Sequence, residues 1–215
     1  MSDQGLKVAE FLLQIKAIEL KPQNPFTWAS GLRSPIYCDN RKTLSYPEIR
    51  DYLREQFCEI IRREYGSPEV IAGVATGGIA LGALVAQELN LPFVYVRSEA
   101  KKHGLTNMIE GVVEQGQKVV VIEDLVSTGK SSLQAVEALR EAGVEVMGLV
   151  AIFTYSFDSA VSNFNAKNCV LHTLTKYEWL LEQALNMNYI SEADKVALSE
   201  WRKDPEQWSA QLQKV

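Results

Sequence analysis

Short apolar segments alternate with amphipathic helical segments from residue 69 onward, and this alternation constrains the fold more than any other feature. The apolar segments are EVIAGVA (69–75), LPFVYVR (91–97), KVVVIED (118–124), VEVMGLVAIFTY (144–155) and NCVLHTL (168–174). Helical stretches such as IALGALVAQELN and KSSLQAVEALREAG lie between them. Near-continuous apolar strands joined by helices indicate a mostly parallel sheet with helices on both faces. The sequence therefore predicts an α/β fold.

The segments that flank this core are helical or turn-rich. Residues 6–20 and 47–65 have the apolar spacing of helices, and Pro47 suits a first helical turn. FTWASGLRSPIYCDNR (26–41) predicts two short strands around a turn. We expect one domain over residues 1–215, and its parts are a small N-terminal hood region (about 1–45), a core sheet (about 66–175) and C-terminal helices (about 176–215).

Composition narrows the classes of partner and the compartment. The net charge of −5 and the pI of about 5.2 argue against nucleic acid or an anionic membrane as the main partner. No apolar stretch approaches the ~20 residues of a membrane span, and the N-terminal segment lacks a signal-peptide pattern. Cys38, Cys58 and Cys169 have no metal-binding spacing. We therefore expect a cytoplasmic protein with reduced cysteines.

The segment VVVIEDLVSTGKSS (119–132) joins two acids to a predicted anion site. STGKSS opens a helix, so free backbone N–H groups and hydroxyls there suit a phosphate monoester. Glu123 and Asp124 would repel a bare phosphate, but they can accept hydrogen bonds from sugar hydroxyls or help place a divalent cation. A ligand with phosphate, vicinal hydroxyls and a metal satisfies the whole segment. The simpler alternative is a strand end followed by a helix cap at Ser127 or Thr128.

The GKS triplet in this segment does not make it a P-loop. The Walker pattern requires a glycine five positions before Gly129, and that position is Asp124. A carboxylate there would lie in the phosphate cradle, so a nucleotide-binding P-loop is excluded.

The run VVVIEDLVSTG resembles the phosphoribosyl diphosphate (PRPP) signature of the type I phosphoribosyltransferases. The resemblance implies the fold of that family, in which the acidic pair faces the ribose hydroxyls and the next loop surrounds the 5-phosphate. By this resemblance the PRPP-binding residues of the segment are Glu123, Asp124, Leu125, Val126, Ser127, Thr128, Gly129, Lys130 and Ser131.

A basic segment, RSEAKKHG, follows the second predicted strand. From the residues alone it can be a solvated basic loop. It resembles the mobile loop of orotate phosphoribosyltransferases, which closes over the diphosphate. The resemblance implies that Arg97, Lys101 and His103 bind the leaving diphosphate, usually in the site of a neighbouring subunit of a homodimer. It also implies that Lys101, His103 and Asp124 are the catalytic residues.

The segment FTWASGLRSPIYCDNR resembles the part of the same enzymes that covers the base. From the residues alone, its Ser-Gly and Ser-Pro pairs are explained by a β-turn before an edge strand. The resemblance implies that Tyr37 lines the orotate pocket and that Ser127 also contacts orotate.

The chain departs from the family pattern at several positions. Some orotate enzymes carry lysines where this chain has Ala29, Gly77 and Ser98, and an arginine after the strand that ends near Tyr155 is missing. The backbone amides of Thr76, Gly77 and Gly78 can still hold diphosphate without side chains.

The resemblance implies transfer of phosphoribose from PRPP to orotate, in de novo pyrimidine biosynthesis. It also implies Mg²⁺, bound mainly through PRPP and water rather than by protein ligands. Two alternatives remain open. A purine phosphoribosyltransferase would share the 119–132 segment but not the other two, and a regulatory protein of the same fold could bind PRPP without catalysis.

Overall fold

The computed structural model describes residues 2–28, 30–98 and 108–212. The helices are α1 (Asp3–Gln14), α2 (Pro47–Glu64), α3 (Gly77–Leu89), α4 (Lys130–Glu141), α5 (Asp158–Ala166), α6 (Tyr177–Asn186), α7 (Glu192–Lys203) and α8 (Pro205–Leu212). The strands are β1 (Ile18–Leu20), β2 (Phe26–Thr27), β3 (Arg33–Ser34), β4 (Ile36–Cys38), β5 (Val70–Val74), β6 (Phe93–Val96), β7 (Ile109–Glu110), β8 (Lys118–Val126), β9 (Glu145–Thr154) and β10 (Leu171–Lys176). A 3₁₀ helix covers Asn40–Ser45.

Six of these strands form one sheet, in the order β10-β9-β8-β5-β6-β7. The pairs β5–β6, β5–β8 and β8–β9 are parallel, whereas β6 and β7 form an antiparallel hairpin. The fold is thus α/β with a mostly parallel sheet and flanking helices, as the sequence predicts. The carboxyl ends of β5, β6 and β8 lie side by side at one edge, where ligands of such sheets bind.

The pleat of β8 divides its side chains between two layers of helices. Val119 and Val121 pack in a buried cluster with Leu133 and Val136 of α4. Helix α3 contacts β5 and β8 and also packs on α2. Because successive strand residues point to opposite faces, neighbouring residues of β8 belong to different layers.

The chain divides into two compact units. The core unit consists of residues 44–174 and contains the larger part of the six-stranded sheet. The other unit consists of residues 1–43 and 175–215. Within it β1 pairs with β4, β2 pairs with β3, and α1 packs on α6. The Trp28 and Trp201 rings meet edge to face in this unit, with centroids 5.8 Å apart.

Three sequence predictions of element boundaries are wrong. Residues 6–20 are not one helix, because α1 ends at Gln14 and Lys16 has a positive φ, after which Ile18–Leu20 pairs with β4. Residues 26–41 contain three short strands rather than two. The strand with the two acids does not end at Asp124 but continues to Val126, because its pairing with β9 continues to Thr154.

The predicted helix over residues 47–65 is confirmed. Helix α2 covers Pro47–Glu64 with the proline in its first turn. The three cysteines are free, and burial raises the pKa of the Cys58 thiol to about 11. No helix in the described ranges is long and apolar enough to span a membrane.

Candidate active site

The two acids of β8 face opposite sides of the sheet. Glu123 points towards the first turn of α4, where it meets Ser132. Asp124, the next residue, lies against Gly77 at the start of α3. The alternation of a β-strand therefore gives two adjacent carboxylates two different environments.

Glu123 is buried, with 4% of its surface exposed. Its Oε1 accepts the Asp124 backbone N–H at 3.0 Å, and its Oε2 accepts the Ser132 hydroxyl at 2.9 Å. Burial raises the pKa of this carboxyl well above its usual range, and the charge of Asp124 raises it further. The two hydrogen bonds act in the opposite direction, because they favour the ionised form.

Asp124 is half-buried and occupies the space that a side chain at position 77 would need. A Cβ built on Gly77 would overlap the Asp124 carboxylate. A side chain at position 77 would therefore have to displace the Asp124 carboxylate. The carboxylate in turn lies at the N-terminus of α3, where the helix dipole favours negative charge.

The segment after β8 surrounds a cavity of about 390 Å³. Gly129 has φ +80° and immediately precedes α4. Its positive φ turns the chain into the helix, and the ring of Phe164 would lie only 2.6 Å from a Cβ there. The cavity is lined by Leu125, Ser127, Thr128, Gly129, Lys130, Ser131, Ser132 and Gln134. Hydroxyls and a helix N-terminus around one cavity suit a phosphate monoester.

Helix α5 supports this phosphate loop from behind. The side-chain amide of Asn163 donates a hydrogen bond to the Thr128 carbonyl at 3.0 Å. Phe164, the next residue, packs beneath Gly129. The loop is therefore held both by β8 and by a helix that the chain reaches only some thirty residues later.

The turn between β5 and α3 has a different construction. The peptide bond between Ala75 and Thr76 is cis, and Gly77 and Gly78 open α3. A Cβ on Gly78 would overlap the Ile122 carbonyl oxygen of β8. The start of α3 thus lies in main-chain contact with β8, next to the acids. It offers backbone N–H groups to a ligand, since glycines supply no side chain.

Arg97 lies at the base of the β6–β7 hairpin. Its backbone N–H bonds to the Met108 carbonyl at 2.8 Å, and its guanidinium lies 3.4 Å from the Glu110 carboxylate. The basic segment therefore begins at the carboxyl end of β6, which lies next to β5. Lys101 and His103, the predicted catalytic residues of this segment, lie outside the described residues.

The remaining predicted positions are placed as follows. Leu125 lines the cavity, whereas the Val126 side chain is in the core and its carbonyl accepts the Tyr155 N–H at 3.2 Å. Tyr37 lies on β4 in the other unit, where it is 38% exposed and its ring centroid is 5.6 Å from that of Phe26. The arginine missing after β9 is replaced by aromatic residues, since Tyr155 and Phe157 stack there.

The donor set fits a divalent cation that reaches the site with a phosphorylated ligand. Within residues 2–28, 30–98 and 108–212, no group of three or more histidine, cysteine or acidic side chains could hold a metal ion alone. Mg²⁺ is commonly bound by one or two carboxylates together with substrate phosphates and water. Glu123 and Asp124 are the carboxylates at this edge of the sheet, and Asp124 is the more exposed of the two.

Two side chains of this site were missed from the sequence. In the sequence, Ser132 is only part of a helix opening, whereas in the structure its hydroxyl bonds to Glu123. The strand period could have revealed it, since residue 123 shares a face with Val119 and Val121, which pack under α4. Asn163 carried no local signal, because its partner lies 35 residues away in sequence.

Comparisons with known proteins agree with this geometry. A family model described as the phosphoribosyl transferase domain matches residues 45–182. The orotate phosphoribosyltransferase of Phocaeicola vulgatus is 59% identical over 202 residues, which cover 94% of this chain and 95% of the relative. That of Porphyromonas gingivalis is 54% identical over 97% of this chain and 99% of the relative. The crystal structure of orotate phosphoribosyltransferase from Aeropyrum pernix superposes with a TM-score of 0.75 at 27% identity, covering 86% of this chain and 99% of that one.

Proposed function

We propose that this chain, because it belongs to the orotate phosphoribosyltransferase family, transfers the 5-phosphoribosyl group of PRPP to orotate. The products are orotidine 5′-phosphate and diphosphate, and the reaction serves de novo pyrimidine (UMP) biosynthesis. One structural observation supports this proposal most directly. Two carboxylates on opposite faces of β8 lie directly beside a hydroxyl-lined cavity at a helix N-terminus. A ribose with a phosphate at one end and a reacting carbon at the other needs both features.

The 5-phosphate binds in the cavity at the start of α4. The hydroxyls of Ser127, Thr128 and Ser131 line this cavity, together with the first backbone N–H groups of the helix. The phosphate is remote from the reacting carbon, so its binding energy serves to orient the sugar. Lys130 adds positive charge at the rim.

The acids act at the ribose. The bond from C1 to diphosphate breaks through an oxocarbenium-like state, so positive charge develops on the sugar. Glu123 and Asp124 accept hydrogen bonds from the ribose hydroxyls and place negative charge near the developing cation. Because Glu123 is buried and already hydrogen-bonded, it needs little reorganisation during the reaction.

The diphosphate leaves at the start of α3. The backbone N–H groups of Thr76, Gly77 and Gly78 face the ligand there without side chains. Arg97, Lys101 and His103 supply the positive charge that this turn lacks. Closure of the 97–107 segment excludes water and so prevents hydrolysis of PRPP.

The remaining parts of the proposal concern the cation, the base and the assembly. Mg²⁺ would be bound mainly through PRPP and water, with Asp124 as the nearest candidate protein carboxylate, and would supply positive charge at the diphosphate. Ser127 and Tyr37 are the residues expected to contact orotate. The enzyme is a cytoplasmic homodimer in which the 97–107 segment of one subunit completes the site of the other.

A base-selection assay tests the function. The protein is incubated with PRPP, Mg²⁺ and one of orotate, adenine or hypoxanthine, and loss of each base is followed. We expect orotate alone to be consumed, with release of one diphosphate per base. Consumption of a purine but not orotate would indicate a purine phosphoribosyltransferase. Tight PRPP binding without turnover of any base would indicate a regulatory protein.

A further inference from the structure

A single hydrogen bond joins the sugar-binding strand to the phosphate-binding helix. Ser132 is the third residue of α4, and its hydroxyl donates to Glu123 Oε2 at 2.9 Å. Both side chains are buried, since 1% of Ser132 and 4% of Glu123 are exposed. Water therefore has little access to replace this bond, and the carboxylate depends on protein donors for its orientation.

Each oxygen of the Glu123 carboxylate accepts a hydrogen bond from a different protein donor. The Asp124 N–H donates to Glu123 Oε1 at 3.0 Å, and the Ser132 hydroxyl donates to Glu123 Oε2. Since a carboxylate has about four lone-pair directions, each oxygen keeps one for a ligand hydroxyl. Only the Ser132 bond comes from another element, because Asp124 is the neighbour of Glu123 in the strand. Ser132 thus decides how the carboxylate is turned about its side-chain bonds.

Ser132 also belongs to the phosphate site. It lies in the same helical turn as Lys130 and Ser131, which line the 390 Å³ cavity. The position of the Glu123 carboxylate therefore depends on the position of the first turn of α4, where the phosphate is proposed to bind. We propose that Ser132 is a positioning residue for phosphoribosyl transfer, which holds the Glu123 carboxylate in register with the bound 5-phosphate so that it accepts a ribose hydroxyl. This inference rests on the function proposed above.

The effect of losing this bond follows from the demands of the reaction. A carboxylate misplaced by about 1 Å can cost up to ~10²-fold in rate, even when every reacting group is present. Substrate phosphate can still bind without Ser132, because the backbone N–H groups of α4 are unchanged. The loss therefore falls on recognition of the ribose rather than on anion binding.

Two substitutions of Ser132 test the proposal. Ser132→Ala removes the donor, and Ser132→Cys keeps a side chain of similar shape with only a weak donor. We expect both to lower kcat/KM for PRPP by about 10- to 10²-fold. Ser199→Ala is the matched control, because it removes a hydroxyl that bonds the Lys195 carbonyl within α7, and we expect wild-type kcat/KM.

A substrate comparison separates positioning from a merely structural role. PRPP analogues that lack the ribose 2- or 3-hydroxyl are compared with PRPP in the wild type and in Ser132→Ala. For one analogue, the variant should lose less than about twofold relative to wild type, since the partner of Glu123 is already missing. The inhibition constant of inorganic phosphate should be the same in both proteins.

The outcomes that contradict the inference are distinct. Wild-type kcat/KM in both variants, or an equal loss with PRPP and with both analogues, would overturn the positioning role. A weaker affinity for inorganic phosphate would assign Ser132 to the phosphate loop alone and would also overturn it. A wild-type protein that consumes no orotate would overturn the proposed function instead.

Discussion

Helices α3 and α4 follow neighbouring parallel strands, yet they meet the ligand in different ways. The start of α3 consists of glycines that lie against the main chain of β8 and the Asp124 carboxylate. The start of α4 is a loop of hydroxyl residues around a cavity of about 390 Å³. Both are helix N-termini at the same edge of the sheet, so both can bind anions. They differ in the space left for side chains.

This difference indicates which groups supply positive charge at the start of each helix. At α4 the hydroxyls, the helix N-terminus and Lys130 come from one continuous segment. At α3 a side chain on Gly78 would meet the main chain of β8 and one on Gly77 would meet the Asp124 carboxylate, so these two positions contribute backbone dipoles. Under the proposed function, the cations for the diphosphate would come from another part of the chain, namely Arg97 and the basic segment that follows it.

The largest expected effect comes from adding one methyl group at the start of α3. Gly78→Ala places a Cβ against the Ile122 carbonyl oxygen, which is main chain and cannot move aside cheaply. We expect a loss of about 3 kcal/mol or more in the free energy of unfolding and no measurable turnover. Urea unfolding and the orotate assay measure both. Ala83→Ser, which adds one atom at an exposed position of α3, is the control, and an active, stable Gly78→Ala protein would contradict the close contact.

The second prediction compares one lysine from each end of the substrate. Lys101→Ala should lower kcat by ~10²-fold or more, because it removes a charge contact that the α3 turn cannot replace. Lys130→Ala should change kcat less than about fivefold, since the α4 loop keeps its hydroxyls and backbone N–H groups. Both are measured at saturating orotate and PRPP. Equal effects of the two substitutions would remove the proposed asymmetry.

The third prediction concerns the buried charge on the α4 side of β8. Because the pKa of Glu123 is raised in the folded protein, the folded state keeps this proton to a higher pH than the unfolded chain does. The free energy of unfolding therefore falls as pH rises from the ordinary value near 4.5 through the raised value.

Glu123→Gln removes this pH dependence. The variant without ligand should be more stable than wild type at pH 8 by about 1–2 kcal/mol, with a smaller difference near pH 4.5. Urea unfolding across this range, with chelator present, measures the effect. Asp124→Asn removes a neighbouring charge that raises the pKa of Glu123, so it should reduce the pH dependence without abolishing it. A Glu123→Gln protein that is less stable than wild type at pH 8 would contradict the prediction.

The smallest expected effect tests the support of the phosphate loop by α5. Asn163→Ala removes the hydrogen bond to the Thr128 carbonyl, so KM for PRPP should rise about 3- to 10-fold while kcat stays within about twofold. Asn165→Ala, at an exposed position of the same helix, should leave KM unchanged. Equal values of KM in the two variants would show that β8 alone determines the loop.

The sequence predicted those parts of the site that are local in the chain. The apolar strands, the acids after VVVI and the anion loop are read from consecutive residues, and β8 and α4 bring them together as expected. The strand boundary was wrong because polar residues such as Glu123 and Asp124 signal a strand end, whereas pairing with β9 continues the strand to Val126. Pairing across a sheet outweighs the local preference of two acids.

The parts that were missed depend on contacts between distant segments. Ile18–Leu20 follows a helical pattern, but it forms a strand because Ile36–Cys38 pairs with it. Ser132 and Asn163 act through hydrogen bonds whose partners are set by the pleat of β8 and by the packing of α5. The sequence shows the residue types, but it does not show the directions in which their side chains point.

The contact between Gly78 and the Ile122 carbonyl also bears on which sugars the enzyme can accept. The turn proposed to bind diphosphate and the strand proposed to bind the ribose touch through main chain, so no side chain can be shortened to bring them closer. The distance from the leaving group to the sugar hydroxyls is then a property of the sheet itself. A donor whose leaving group lies at a different distance from its vicinal hydroxyls would need rearranged strands rather than a few substitutions. The spacing between the leaving group and these hydroxyls is therefore expected to persist through extensive change of the surrounding side chains.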